Sequence, residues 1–221
     1  MSHSVQALVF DVGDVIATQD RAAADAAYAA VRADLSTALV NRARNGAALY
    51  ELWVGYSVGA VDGDVYWDAV AAALGLDPAA GPRLRHAHGS TVWAVRDPDV
   101  MALIGALARA GAPALGVLSN SAPDCEPHIP AFAGLFRVLH FSHRTGRRKP
   151  DAEAYTEVAR ALGVGPEQAV FIDDKPRNVE AARRAGMRAI AYVGARDLAQ
   201  DLAALGVPLH GSAGGSVAAD G

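Results

Sequence analysis

The sequence predicts an α/β protein, a Rossmann-like parallel sheet core with an inserted all-helical block. Three observations carry this expectation. Short apolar runs at 6–10, 114–118, 138–141, 169–172 and 188–193 have the length and composition of buried strands. From residue 97 onward these runs alternate with segments of helical length, the pattern of right-handed crossovers in a parallel sheet. Between 17 and 95 the texture changes to alanine-rich stretches at helical spacing with few strand-like runs.

Taken in order, 6–10 is the first buried strand. Helical spacing then covers 22–40, 46–54 and 64–74, with Asp62-Gly63 a turn and Asp64 a cap for the helix carrying Tyr66 and Trp67. Gly75 and then Asp77-Pro78 end that helix. Asp97-Pro98 is an N-cap followed by proline in the first turn, and Gly111 closes the helix so begun. Strands at 114–118 and 138–141 follow, then an amphipathic helix over 151–162 ending at Gly163. A strand at 169–172, a helix over 176–185 and a strand at 188–193 complete the pattern. The expected division is 1–16 with 96–210 as the core, 17–95 as the helical insertion, and 211–221 as a linker-like, disordered tail.

With 221 residues, the chain has room for one large α/β domain, or for a core with a modest insertion. Hydrophobic residues make up 52%, well outside disordered composition. The net charge of −4 provides no global field for nucleic acid or an anionic membrane, and Arg147-Arg148-Lys149 is too short a basic run to change that. The single cysteine, Cys125, excludes an intramolecular disulfide framework and a cysteine-rich zinc site. No basic segment followed by an apolar one opens the sequence, and no apolar run has transmembrane length. A soluble, cytoplasmic protein, monomer or homodimer, is the expectation.

Chemistry concentrates where apolar runs end. Asp11 follows the first run, Asp173-Asp174 follow 169–172, and Ser119-Asn120 close 114–118. Active sites of parallel α/β sheets lie at the carboxyl ends of strands. Three aspartates at two such ends suggest a hard-cation site beside a carboxylate nucleophile. With the Lys149-Pro150 step, the set of acid, hydroxyl, amine and acid pair points to phosphoryl transfer.

These residues, in this order, resemble the haloacid dehalogenase-like (HAD) hydrolase superfamily. The resemblance rests on Asp11-Val-Gly-Asp-Val-Ile16, Gly116-Val-Leu-Ser-Asn120, Arg147-Arg-Lys-Pro-Asp151 and Val170-Phe-Ile-Asp-Asp174, with Asn178 and Ala181-Ala182 continuing the pattern. It covers 5–16 and 97–195, and the block at 17–95 takes the place of the family's helical cap. It implies a phosphomonoesterase acting on a small phosphorylated substrate, a sugar phosphate first, with Asp11 as the nucleophile that becomes an aspartyl-phosphate. It further implies Mg²⁺ held by Asp11, the carbonyl of Gly13 and Asp174, with Asp173 a further ligand or an acceptor behind them. Ser119 and Lys149 would bind the non-bridging oxygens, the amide of Gly13 would add a donor, and Asn120 would donate to phosphate or substrate.

Gly13 departs from the pattern. It stands where family phosphatases usually carry an aspartate that protonates the leaving oxygen, a contribution of roughly 10²–10⁴-fold. Phosphatases with Asp-x-Gly at this motif resemble the chain, so glycine is compatible with the chemistry. Asp14, a cap residue, a metal-bound water or a good leaving group are the alternatives for its role. Because Gly13 leaves the acid out, two rival functions remain: a 2-haloacid dehalogenase-type hydrolase, and a non-catalytic phosphate-binding protein. The acidic pair argues against the first, and retention of all four motifs against the second.

Bland readings apply elsewhere. Trp53, Tyr56, Tyr66 and Trp67 read as the core of the helical block, with a substrate-facing role for one or two of them the minor alternative. His86 and His88 lack a third ligand, Cys125 lacks a partner, and Arg183-Arg184 reads as a solvated helix face. No G-x-G-x-x-G follows the first strand, which disfavours a nicotinamide enzyme.

Overall fold

Seven strands occur among the residues that the computed structural model describes, 4–111 and 113–209. They are β1 (Ala7–Phe10), β2 (Ala17–Thr18), β3 (Val95–Arg96), β4 (Ala114–Ser119), β5 (Val138–Phe141), β6 (Ala169–Asp173) and β7 (Arg188–Ala191). Five of them form one sheet in the order β5-β4-β1-β6-β7, every neighbouring pair parallel. β1 is therefore central, flanked in register by β4 (Phe10 opposite Val117) and β6 (Phe10 opposite Ile172). The tail expected to be disordered, 211–221, lies outside the described residues.

Alternation along β1 sends side chains to both faces of the sheet. Leu8 and Phe10 pack with Val100, Ile104 and Leu107 and with Leu198 and Leu202. Ala7 and Val9 pack on the opposite face with Tyr155, Val158 and Leu162. All strand residues of β1 are buried, so the sheet is covered on both sides, as parallel sheets require.

Helices α1 (Arg21–Ala29), α2 (Thr37–Arg44), α3 (Ala47–Ser57), α4 (Gly63–Ala73) and α5 (Gly81–Gly89) follow β2. They build a separate apolar cluster around Tyr28, Tyr56, Tyr66 and Trp67. The chain leaves for this bundle along β2 and returns along β3, two strands paired antiparallel, Ala17 with Arg96 and Thr18 with Val95. Then come α6 (Pro98–Ala110), the short α7 (Pro130–Ala133) and α8 (Ser142–Thr145), and α9 (Ala152–Leu162), α10 (Pro176–Arg184) and α11 (Ala195–Ala204). No helix among the described residues is long and apolar enough to cross a membrane.

The expected single helix over 22–40 is two helices. Ser36 accepts the Leu39 amide at 3.3 Å and Asp25 accepts the Thr37 amide at 2.6 Å, so a new helix is capped within what reads as one periodic run. The cap of α4 is Asp62, which accepts the Asp64 amide at 2.8 Å, two residues before the expected position. Asp97 caps α6 as expected, accepting from Asp99 and Val100 at 2.9 and 3.0 Å, and Gly111 ends it at φ 73°. Helices α5 and α11 and the two-residue ribbon were not anticipated. A two-residue strand spans a single period of alternation, so no repeating pattern announces it.

Candidate active site

Three neighbouring strands, β4, β1 and β6, deliver their carboxyl ends to one place. Ser119 is the last residue of β4 and Asp173 the last of β6, while Asp11 directly follows β1. The Asp11 amide donates to the Ile172 carbonyl at 2.8 Å, extending the β1–β6 pairing by one step. Its carboxylate accepts the Val12 amide at 2.7 Å, which fixes the side chain at the turn.

Lys149 reaches this point from the loop between α8 and α9. Its Nζ lies 2.8 Å from Asp11 Oδ1 and 2.7 Å from Asp173 Oδ2. All three residues are at most 3% exposed, so the ammonium is solvated by two carboxylates rather than by water. Of the basic run, Arg147 is exposed, Arg148 half-buried, and Lys149 enters the interior. The Asn120 side chain holds the lysine's main chain from both sides, donating to the Lys149 carbonyl at 2.7 Å and accepting its amide at 2.8 Å.

The two aspartates after β6 differ in their partners. Asp173 is saturated: Oδ2 accepts from Lys149, Oδ1 accepts the Lys175 amide at 2.8 Å, and the Asn178 amide nitrogen lies 3.1 and 3.0 Å from its two oxygens. Asp174 Oδ1 is buried and has no hydrogen-bond partner; the nearest cation is Lys175 Nζ at 3.8 Å. Carboxylate oxygens of Asp11, Asp173 and Asp174 fall within 4.8 Å of one another, a grouping that can hold a metal ion. An orphaned buried carboxylate oxygen beside two further carboxylates, an all-oxygen set, fits a hard divalent cation.

Charges shape the ionisation of these groups. Burial opposes ionisation of Asp11, but Lys149, Lys175 and the Val12 amide outweigh it and hold its pKa below the ordinary carboxylate value. For Asp173, burial and the neighbouring Asp11 charge prevail over Lys149, and its pKa is raised. Burial also raises Asp174, against the pull of Lys175. One ammonium thus serves two carboxylates unequally, and a dication would relieve the remaining repulsion.

Asp11, Ser119 and Lys149 line a cleft of about 150 Å³ with Gly13, Trp93 and Lys175. A larger cavity of about 540 Å³ adjoins it, sharing Gly13, Tyr50, Trp53, Trp93, Lys175 and Arg177. The helical bundle supplies its far wall through Asn41, Arg44, Trp53 and Tyr66. Arg44 lies over the rings of Trp53 and Trp67, 5.2 and 5.4 Å from their centroids, and donates to the Tyr66 hydroxyl at 2.9 Å. A groove of about 560 Å³ beside β7 carries none of the expected site residues.

The structure brings together Asp11, Gly13, Ser119, Asn120, Lys149, Asp173 and Asp174. Asn120 is turned to the main chain of Lys149 by both its polar atoms, a role the sequence did not suggest. Asp14, weighed as a replacement acid, has φ 60° and accepts from the Thr18 hydroxyl at 2.9 Å; it borders the larger cavity and not the cleft with Asp11. His86 is exposed and His88 buried, where its Nδ1 meets the Tyr28 hydroxyl at 3.1 Å, so the two do not form a metal pair. Tyr56, Tyr66 and Trp67 are core, whereas Trp53 is half-buried and lines both cavities. Burial pushes the Cys125 thiol well up, leaving it unreactive. Trp93, Lys175, Arg177 and Arg44 were missed. Lys175 follows the acid pair directly and was open to detection; a lone tryptophan or arginine in a helical block carries no such signal.

A family model described as haloacid dehalogenase-like hydrolase matches residues 5–186. Flavin mononucleotide hydrolase 1 of Arabidopsis thaliana is 48% identical over 62 residues, 28% of this chain and 25% of that protein. The chain thus matches about a quarter of that relative's length. Glyceraldehyde 3-phosphate phosphatase of Methanopyrus kandleri is 27% identical over 193 residues, covering 83% of this chain and 82% of that one. A HAD family enzyme of Bacteroides thetaiotaomicron, in complex with magnesium and inorganic phosphate, has the same fold. It superposes with a TM-score of 0.66 at 17% identity over 86% of this chain and 95% of that chain.

Proposed function

The chain belongs to the haloacid dehalogenase-like hydrolase family, and on that premise we propose that it is a magnesium-dependent phosphomonoesterase acting on a small metabolite, a sugar phosphate foremost. The observation that carries this reading is the buried Asp11–Lys149–Asp173 arrangement with the unpartnered Asp174 oxygen beside it. Further support comes from relatives named as phosphatases and from a structural neighbour containing magnesium and phosphate.

Asp11, Asp174 and the carbonyl of Gly13 would hold the magnesium ion. Bound there, the ion offsets the negative charge shared by the phosphate and the carboxylates. Asp11, kept ionised, attacks phosphorus in line; an oxygen–phosphorus bond forms as the bond to the leaving oxygen breaks with its electron pair. Water then cleaves the aspartyl-phosphate, returning Asp11 and releasing phosphate. Lys149 and the Ser119 hydroxyl hold non-bridging oxygens, and Lys149 also tempers the repulsion between Asp11 and its anionic substrate. The helical segment 17–95 acts as a cap that closes over the cleft, excludes water and selects the leaving group through Trp53, Arg44 and Tyr50.

The test is phosphate release over a panel of sugar phosphates, with and without magnesium, in the wild type and Asp11→Asn. Metal-dependent turnover abolished in Asp11→Asn is the expected result. Turnover of 2-haloacids with none of phosphate esters would replace this reading by the dehalogenase one, which the absence of a carboxylate at Gly13 alone favours.

A further inference from the structure

We propose that Trp93 meets the leaving oxygen in place of the carboxylate that Gly13 lacks; the proposal rests on the phosphatase reading. Three observations converge on this side chain. Trp93 is 6% exposed and holds φ 57°, a left-handed conformation that a bulky residue adopts only when its surroundings impose it. Its Nε1 has no hydrogen-bond acceptor among the described residues, and the residue lines both the small cleft with Asp11 and the larger cavity. A Cβ placed on Gly13 would lie 3.7 Å from that nitrogen, its closest non-neighbouring contact. The indole nitrogen therefore stands in van der Waals contact with the point from which a side chain at position 13 would start.

The fold fixes this juxtaposition. Trp93 stands two residues before β3, which pairs with β2, and β2 is tied to the Gly13 turn by a bridge between Gly13 and Ala17. The ring rests against Phe141, 6.0 Å between centroids.

An indole nitrogen is a donor only and keeps its proton. As the bond from phosphorus to the leaving oxygen breaks, the electron pair stays on that oxygen, Trp93 donates a hydrogen bond to the developing charge, and solvent water supplies the proton afterwards. Such a bond strengthens with charge but transfers nothing. Among sugar phosphates this favours esters whose leaving oxygen is the less basic, the anomeric phosphates over those of primary hydroxyls.

Two readouts test this on the whole chain. In a series of aryl phosphates with magnesium, Trp93→Phe is expected to lose kcat/KM increasingly as the leaving phenol becomes more basic, reaching about tenfold or more. Equal loss across the series, or none, overturns the proposal. In the wild type, the three indole N–H resonances of Trp53, Trp67 and Trp93 are followed by NMR as inorganic phosphate is added with magnesium, the fourth phosphate oxygen standing for the leaving one. A downfield shift of the Trp93 indole proton is expected, and an unmoved Trp93 resonance overturns the proposal even if Trp93→Phe fails to fold. If wild type and Asp11→Asn release phosphate equally poorly, the phosphatase reading fails, and the resonance still decides whether Trp93 contacts the anion.

Discussion

Asn120 and Lys149 are joined by a reciprocal pair of hydrogen bonds, side-chain nitrogen to carbonyl at 2.7 Å and amide to side-chain oxygen at 2.8 Å. Through this pair the end of β4 grips the loop between α8 and α9, and the grip is what aims the lysine ammonium between Asp11 and Asp173. A carboxamide carries a donor and an acceptor on separate atoms and so matches the carbonyl and amide of one residue, whereas an ionised carboxylate offers acceptors only.

Replacing that carboxamide should therefore loosen the lysine. Asn120→Ala leaves two main-chain groups of Lys149 without partners, and a destabilisation of about 1–3 kcal/mol is expected by urea denaturation. Turnover should fall as well, with kcat affected more than KM. Wild-type stability in the variant would show that water replaces the pair at no cost.

Lys149→Met should be costlier. Removing one member of a buried charge cluster strands its partners, worth about 3–5 kcal/mol. With the ammonium gone, the buried carboxylates hold protons more tightly when folded than when unfolded, so the folded variant binds more protons. Its stability relative to wild type should accordingly fall as pH rises above the ordinary carboxylate range. Thermal unfolding followed from pH 5 to pH 8 reads this; a flat difference would remove the assigned role.

Asp173 and Asp174 should separate in metal binding. Asp173 is engaged by Lys149, Asn178 and the Lys175 amide, whereas Asp174 keeps a buried oxygen without a hydrogen bond, its nearest cation 3.8 Å away. Asp174→Asn is expected to raise the magnesium Kd, by calorimetric titration, by more than about tenfold. Asp173→Asn should act mainly on stability. The opposite ranking would move the ion to the other side of the cluster.

A different group should govern mild acid sensitivity. Burial and then the Arg44 charge push the pKa of His88 well below its ordinary value, and Tyr28, Gln19 and Arg44 surround its Nδ1. The folded state keeps the ring neutral while the unfolded chain protonates near 6.5. Its contribution is thus complete above pH 6.5 and is lost as pH falls below it, at up to about 1.4 kcal/mol per pH unit. His88→Gln should flatten the dependence of Tm on pH between 6.5 and 5 relative to wild type; an unchanged slope would assign it to other groups.

The sequence by itself determined the five strands of the parallel sheet and what stood at their ends. Apolar runs and caps such as Asp97 and Gly111 act over a few residues, so periodicity and turn chemistry are legible locally. Asp11, Ser119, Lys149, Asp173 and Asp174 could be named as candidates because each ends an apolar run or opens a loop, and their order along the chain carried the resemblance. Where a local signal had a competitor, as in the run that Ser36 splits into α1 and α2, the pattern misled. Tertiary structure alone decided the rest: that Lys149, among three consecutive basic residues, is the one taken inside; that Asn120 serves the lysine; and that Trp93 faces Gly13. Each of these depends on a partner distant in sequence, 24 residues for Lys149 with Asp173 and 29 for Asn120 with Lys149. The direction in which a side chain is desolvated is set by what packs against it after the sheet has closed, and no spacing along the chain records that.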